Sequence, residues 1–154
     1  MPASLGIVHQ LFCRALSDID PATLYRLLAL RSEVFVLEQE CAYLDLDGRD
    51  LEPEALQLWA AQGPDVLATL RLLRDPSAWR IGRVATARSA RSAGLAAQLM
   101  AAALREGAAR AQLPFVLDAQ SHLRAWYERF GFSVDGQEYV EDGIPHLPMR
   151  RAAG

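Results

Sequence analysis

Residues 84–96 constrain the fold of this chain more than any other stretch. They read Val-Ala-Thr-Ala-Arg-Ser-Ala-Arg-Ser-Ala-Gly-Leu-Ala, so that an apolar strand ends, a turn of small residues follows and a long helix begins. Small residues let a backbone come close to a ligand, and a helix start offers unpaired N–H groups and the positive end of the dipole. The segment predicts a strand–turn–helix unit that can bind a pyrophosphate. A tightly packed turn without a ligand is the alternative reading of this segment alone.

Apolar periodicity predicts the remaining elements. Asp20-Pro21 is a typical helix start, Gln62-Gly63-Pro64-Asp65 is a typical hairpin turn, and Gly131 suits the end of a helix. The resulting α/β order is β-α-(α)-β-β-β-α-β-α-β-β, arranged around one mixed sheet. Strands are expected at residues 5–13, 55–62, 66–73, 80–87, 115–118, 132–134 and 147–150, and helices at 20–37, 92–110 and 122–130.

Length and composition point to one soluble domain spanning residues 1–154. A chain of 154 residues, half of them apolar, can bury a sizeable core. No apolar run approaches the roughly 20 residues of a membrane span, and the N-terminus does not resemble a signal peptide. Cys13 and Cys41 form neither a disulfide framework nor a C-x-x-C pair. A reducing cytoplasm is therefore the expected location.

Several common sites are absent from the sequence. There is no G-x-G-x-x-G after an early strand, and a P-loop is excluded because the chain has no lysine. The net charge of −3 argues against general nucleic-acid binding. Asp45, Asp47 and Asp50 are spaced like the start of a calcium loop, but Leu56 stands where the twelfth-position glutamate belongs. We therefore interpret these acids as turn and capping residues and expect no metal.

Charge is unevenly distributed along the chain. Residues 33–54 hold eight acids against Arg49 alone, whereas residues 71–110 hold eight arginines and two acids. An acidic stretch can attract a cationic substrate, and a basic stretch can hold a polyanion. The alternative is that both stretches are solvated faces.

The Arg91-x-x-Gly94-x-Ala96 pattern resembles the cofactor loop of the GNAT (GCN5-related N-acetyltransferase) superfamily. A downstream block, Trp126-Tyr127-Glu128-Arg129-Phe130-Gly131-Phe132 after the strand at 115–118, is similar to that superfamily's strand five and helix four. Further segments, all in matching order, resemble its ElaA-type branch: 31–39, 45–50, 81–84, 119–123 and 141–146.

This resemblance implies a mostly antiparallel sheet with helices on both faces, splayed central strands and an acetyl-CoA co-substrate. Val84, Ala85 and Thr86 would pair with the pantetheine arm. Gln120 stands where many relatives carry an asparagine that touches the cofactor. Ser92 replaces a glycine of many family loops, which puts cofactor affinity in question more than the fold. The N–H groups expected to hold the pyrophosphate belong to Arg91, Ser92, Ala93, Gly94, Leu95 and Ala96.

The resemblance also implies a catalytic role for Tyr127. It would protonate or hydrogen-bond the departing thiolate, because attack of an amine on a thioester expels a sulfur anion. An aromatic core residue is the alternative.

No residue stands out as the general base. His146 and Glu141 are the favoured candidates, since histidine titrates near neutrality and both lie in a late loop. Glu33, Glu38 and an ordered water are further candidates, and each side chain could instead be structural. His122 is expected to be a helix-start residue.

The predicted activity is transfer of an acetyl group from acetyl-CoA to an amine by direct attack in a ternary complex. The acceptor would be a small-molecule or peptide amine, and the acidic stretch at 33–54 suggests a cationic one. No membrane or nucleic-acid partner is expected, and a homodimer is left open. The alternatives are a non-catalytic acetyl-CoA sensor and an interaction domain.

Overall fold

A computed structural model describes residues 9–154 and contains one eight-stranded sheet in the order β1-β2-β3-β4-β5-β8-β6, with β7 paired to β8. Every neighbouring pair is antiparallel except β4 and β5, which are parallel. The strands are β1 Gln10–Arg14, β2 Leu56–Gln62, β3 Asp65–Asp75, β4 Ala78–Thr86, β5 Phe115–Gln120, β6 Ser133–Val134, β7 Tyr139–Glu141 and β8 Ile144–Arg151. The helices are α1 Pro21–Ser32, α2 Leu95–Arg110 and α3 Arg124–Glu128.

Apolar side chains cover both faces of the sheet, as strand alternation dictates. Within β2, Leu58 packs in a cluster with α2 and α3, whereas Trp59 packs in a cluster with α1. On the α1 side, Leu27 and Leu30 are buried against Trp59. The expected arrangement of helices on both faces is therefore confirmed.

Helix α1 starts where the sequence predicts and changes geometry near its end. The Asp20 carboxylate caps it by accepting from the Thr23 N–H at 3.0 Å, and Pro21 is its first residue. At Glu33 the chain passes into a π-helix, Glu33–Glu38, which replaces the predicted continuation of the α-helix. Such π turns are frequent at functional sites.

The joint between β4 and β5 is braced by the C-terminal half of α2. Trp79 pairs with Phe115 in the sheet, and its indole Nε1–H donates to the Ala111 carbonyl at 3.1 Å. Gly107 leaves room for both rings, because a Cβ there would lie 2.7 Å from Phe115 Cζ. This packing fixes the end of the sheet from which the site opens.

Several predicted boundaries were wrong. Helix α2 begins at Leu95 and not at residue 92, because Ser92 and Gly94 adopt left-handed φ values of 68° and 79°. Strand β5 runs to Gln120, and a 3₁₀ turn, Ser121–Leu123, precedes α3. Strand β7 was not predicted, and β8 starts at Ile144 instead of residue 147. The predicted part of β1 at residues 5–8 lies outside the described residues.

Candidate active site

Strands β4 and β5 separate soon after they meet, and the gap between them is the candidate site. They pair only at Trp79 with Phe115 and at Arg80 with Val116, although β4 continues to Thr86 and β5 to Gln120. Beyond Arg80, the N–H and C=O groups of β4 that face β5 have no strand partner there. The expected splayed central strands are thus confirmed, and they leave an open backbone edge.

A cavity of about 350 Å³ lies in this gap. Tyr127, Glu141 and His146, which come from distant parts of the sequence, all line it. The same cavity is lined by Val84 from β4 and Gln120 from β5. Five of the residues predicted for the site therefore share one space.

Tyr127 reaches the cavity from the face of the sheet that α2 and α3 cover. It is 7% exposed and packs edge-on against Trp126, with ring centroids 4.9 Å apart, and against Phe132 at 6.4 Å. Burial raises the pKa of its hydroxyl to about 12, so that it stays protonated at neutral pH. Within the described part of the chain, no group is hydrogen-bonded to this hydroxyl, which leaves it available as a donor to a molecule in the cavity.

His146 approaches the cavity from β8, directly opposite Gln120 in the sheet. Its Nδ1 lies 2.7 Å from the Ile144 carbonyl oxygen, which can only accept, so Nδ1 carries the proton. In the neutral ring this leaves a lone pair on Nε2. Tyr139, its partner across β7 and β8, stacks on the imidazole at a centroid distance of 5.7 Å. The ring is therefore held on one edge and on one face.

The loop 87–94, between β4 and α2, presents uncapped backbone donors. No side chain caps α2 at Gly94, so the first N–H groups of this 16-residue helix face outward without a side-chain partner. A Cβ built on Gly94 would meet nothing within 4 Å, which shows open space beside the loop. Leu95 is buried in the core, so it can offer only its backbone to a ligand. The arrangement suits an anion at a helix N-terminus.

The comparisons with known proteins agree with this geometry. A family model described as an acetyltransferase (GNAT) domain matches residues 31–153. This chain belongs to the GNAT family. The UPF0039 protein Rv2851c of Mycobacterium tuberculosis is 46% identical over 140 residues, covering 87% of each chain, and the protein ElaA of Escherichia coli is 37% identical over 139 residues, covering 88% of this chain and 91% of ElaA.

Solved structures show the same likeness. The crystal structure of Escherichia coli ElaA superposes with a TM-score of 0.89 at 33% identity, covering 94% of this chain and 99% of ElaA. The crystal structure of an acyl-CoA N-acyltransferase from Pseudomonas aeruginosa superposes with a TM-score of 0.88 at 43% identity, covering 93% and 99%. The predicted GNAT fold and ElaA-like branch are therefore confirmed.

A bulge in β4 lies beside the cavity. Thr69 of β3 faces Ala85 and Arg71 faces Gly82, so β4 advances three residues while β3 advances two. The extra residue falls at Arg83, whose φ of 52° is left-handed. A residue in this conformation costs about 1–3 kcal/mol and must be held by its surroundings. The contacts of the Arg83 side chain with Asp45 hold the residue in this conformation.

Arg83 belongs to an ionic cluster of three arginines and three aspartates beside the cavity. Its Nε lies 2.7 Å from Asp45 Oδ1, a charge contact without hydrogen-bond geometry, and its Nη2 donates to the Asp45 carbonyl at 3.1 Å. Arg31, fully buried on α1, donates to Asp45 and Asp50. The members of the cluster are Arg31, Arg71, Arg83, Asp45, Asp47 and Asp50.

The ionic cluster contains three of the eight acids in the stretch at 33–54. Asp45 and Asp50 are buried and neutralised by arginines of the same protein, so they supply no free charge for an acceptor. Partial burial works against ionisation of Asp47, but the hydrogen bonds from Arg71 outweigh it and lower the Asp47 pKa to about 2. Charge counting along the sequence could not show this pairing, because the arginines come from α1, β3 and β4.

Two of the minor base candidates lie elsewhere. Glu38 and Glu33 line a separate groove beside loop 87–94 and not the cavity. Hydrogen bonds from Arg91 and Arg88 lower the pKa of Glu38 to about 2, which makes it a very weak base. His122 lies in the 3₁₀ turn before α3 and does not line the cavity.

The remaining predicted cofactor residues surround the loop. Thr86 ends β4, and its carbonyl accepts from Arg91 Nε at 3.2 Å. Ala85 is buried against the α1 cluster, so only its backbone can face a ligand. Ser92 and Ala93 are exposed in the turn, and Ala96 lies in the first turn of α2.

Among the described residues, no group of three or more His, Cys, Asp or Glu is arranged to hold a metal ion. In the same part of the chain no helix is long and apolar enough to cross a membrane.

Sequence reasoning missed a second polar layer behind His146. Burial and the nearby Asp118 carboxylate raise the pKa of the Tyr139 hydroxyl, and the Asp118 carboxylate accepts from Arg80 Nη1 at 3.1 Å. Asp118 and Gln120 alternate with buried Leu117 and Ala119 along β5. That alternation places both polar residues on one face and was the available signal.

Proposed function

We propose that this chain is an N-acetyltransferase that moves an acetyl group from acetyl-CoA to an amine by direct attack in a ternary complex. The observation that carries the proposal is the cavity between the splayed strands, which Tyr127 and His146 both line. Membership of the GNAT family and the likeness to a Pseudomonas aeruginosa protein named as an acyl-CoA N-acyltransferase support it.

The residues present fit acetyl-CoA. The open edge of β4 from Val84 to Thr86 offers backbone groups to an amide-containing arm, and the uncapped start of α2 offers N–H groups to a pyrophosphate. Gln120 lines the cavity, and its side-chain amide can hydrogen-bond the cofactor there. When bound, acetyl-CoA supplies the activated thioester acyl group.

Tyr127 is the proposed donor to the leaving sulfur. Burial keeps its hydroxyl protonated, with a pKa of about 12, whereas a free thiol has a pKa of about 8.5. A tyrosine of this acidity stabilises a sulfur anion by a hydrogen bond more readily than by giving up its proton. A positioned donor of this kind contributes about 10²- to 10³-fold in rate.

His146 is the proposed general base. Its Nδ1–H is engaged by Ile144, which orients the ring and leaves Nε2 free to accept a proton from the attacking amine. Glu141, an exposed residue of β7 two positions after Tyr139, is the proposed attractant for the amine and the secondary base candidate.

Two acids at the turn between β7 and β8 support a cationic acceptor. Glu141 and Asp142 line the cavity, and within the described residues neither forms an ion pair. Unlike the ionic cluster, they leave negative charge at the mouth that an ammonium group can meet. Small-molecule and peptide amines both satisfy this requirement.

The test is release of free coenzyme A from acetyl-CoA in the presence of an amine panel, for the native chain, Tyr127→Phe and Tyr25→Phe. Tyr25 is 77% exposed on α1 and serves as the matched control. We expect amine-dependent release that falls about 10²-fold or more in Tyr127→Phe and stays at the native level in Tyr25→Phe. Equal rates in all three proteins would remove the assigned role of Tyr127. Cofactor binding without turnover on any amine would favour the acetyl-CoA sensor.

A further inference from the structure

The last residue of the π-helix is tied to loop 87–94 by an ionic clamp. The Glu38 carboxylate accepts from Arg91 Nη1 at 2.6 Å and from Arg91 Nη2 at 2.5 Å, one bond to each carboxylate oxygen. It also accepts from Arg88 Nη2 at 3.1 Å. One acid from the α1 side therefore holds both arginines of the loop.

All three nitrogens of the Arg91 guanidinium donate hydrogen bonds in this arrangement. Its third donor group, Nε, points to the Thr86 carbonyl at the end of β4. The guanidinium thus bridges the π-helix and the strand, and the main chain of Arg91 is fixed between them. A bidentate arginine–carboxylate pair adds geometric definition as well as charge.

The residues that follow Arg91 need such definition. Ser92 is left-handed without being a glycine, at φ 68°, and Gly94 is left-handed at φ 79°. No side chain caps the helix that starts at Leu95. A short loop with two left-handed residues and no cap has little of its own to hold its N–H groups in one direction.

We propose that Glu38 is a positioning residue for the phosphate-binding loop: through Arg91 it holds the N–H groups of loop 87–94 in the orientation that receives the pyrophosphate of coenzyme A. The proposal rests on the proposed function, because it assumes that coenzyme A occupies this loop. Hydrogen bonds from Arg91 and Arg88 lower the pKa of Glu38 to about 2. Glu38 is therefore ionised, and its ion pair with Arg91 is formed, at neutral pH.

Long-range charge alone predicts the opposite change in coenzyme A affinity when Glu38 is removed. The direction of that change therefore distinguishes the two explanations. A carboxylate beside a phosphate site repels the ligand, so its removal should tighten binding if only long-range charge mattered. If Glu38 acts by holding the loop, its removal must weaken binding, because the ligand then has to order the loop itself.

The experiment is calorimetric titration of coenzyme A into the native chain, Glu38→Gln and Glu33→Gln. Glu33 is the matched control, because it is exposed on the same π-helix, lines the same groove and has no ion pair within the described residues. We expect Kd to rise roughly three- to tenfold in Glu38→Gln, the cost of ordering one or two side chains on binding, and to stay at the native value in Glu33→Gln. In turnover assays KM for acetyl-CoA should rise while kcat is unchanged.

A double-mutant cycle with Arg91→Gln separates positioning from a general effect on the fold. In the Arg91→Gln background, Glu38→Gln should add little further loss, because the clamp is already broken. Tighter or unchanged binding in Glu38→Gln, an equal loss in Glu33→Gln, or a full loss on top of Arg91→Gln would each overturn the proposal. Failure of the native chain itself to bind coenzyme A would contradict the proposed function, and therefore also this inference, which rests on it.

Discussion

Replacing Arg31 by methionine should cost this protein a large part of its stability. Arg31 is 0% exposed and donates four hydrogen bonds, two to Asp45 and two to Asp50. Removing one partner from a buried ion pair costs about 3–5 kcal/mol, because the charges left behind are uncompensated. Asp45 keeps Arg83 at 2.7 Å and Asp50 keeps Arg71 at 3.3 Å. We therefore expect the lower end, about 3 kcal/mol.

The assay is urea unfolding, with Arg49→Met as the matched control. Arg49 also contacts two acids, Glu52 at 2.8 Å and Asp75 at 2.6 Å, but its side chain is 35% exposed. Exposed pairs contribute about 0–1 kcal/mol, so the control should lose less than about 1 kcal/mol. Equal losses in the two variants, or a loss below about 1 kcal/mol for Arg31→Met, would refute the claim that burial makes the cluster costly to break.

Three further predictions follow from particular contacts. Gly107→Ala should lower the free energy of unfolding by about 1–2 kcal/mol, seen as a lower Tm, because the new Cβ meets Phe115 at 2.7 Å. Acid should destabilise the protein between about pH 4 and pH 2, measured by unfolding at each pH. The pKa values of Asp47 and Glu38 are lowered to about 2 when folded, so the stability they give is present above their unfolded pKa of about 4 and is lost as they protonate. Ser92→Val should weaken coenzyme A binding by calorimetry, whereas Ser92→Gly should retain it, since a β-branched residue resists the φ of 68°.

The elements with strong local signals could be predicted from the sequence. The cap at Asp20, the hairpin between β2 and β3 and the strand–turn–helix unit after β4 each depend on residues close together in the chain. The family resemblance then brought Tyr127 and loop 87–94 into one hypothesis, and the fold it implied is confirmed. The roles of these residues stay predictions.

What could not be predicted depends on contacts between distant segments. The ionic cluster joins α1, β3, β4 and the 45–50 turn, and its paired opposite charges lie 14 or more residues apart in the sequence. A signal was present in β3, where Arg71 interrupts an otherwise apolar run and is 4% exposed. An arginine that far inside a sheet requires acids nearby, but only the fold identifies which ones. Strand β7 was missed because three residues carry too little periodicity.

The short pairing of β4 with β5 also has a consequence for how the protein folds. The two strands meet at only two residue pairs, separated by 36 positions in the chain, with α2 between them. Such long-range parallel contacts are entropically costly to close, so this seam should be among the late contacts to form and the early ones to open. The cavity exists only while the seam is shut. Mild denaturation should therefore abolish coenzyme A binding before the secondary structure on either side of the seam is lost.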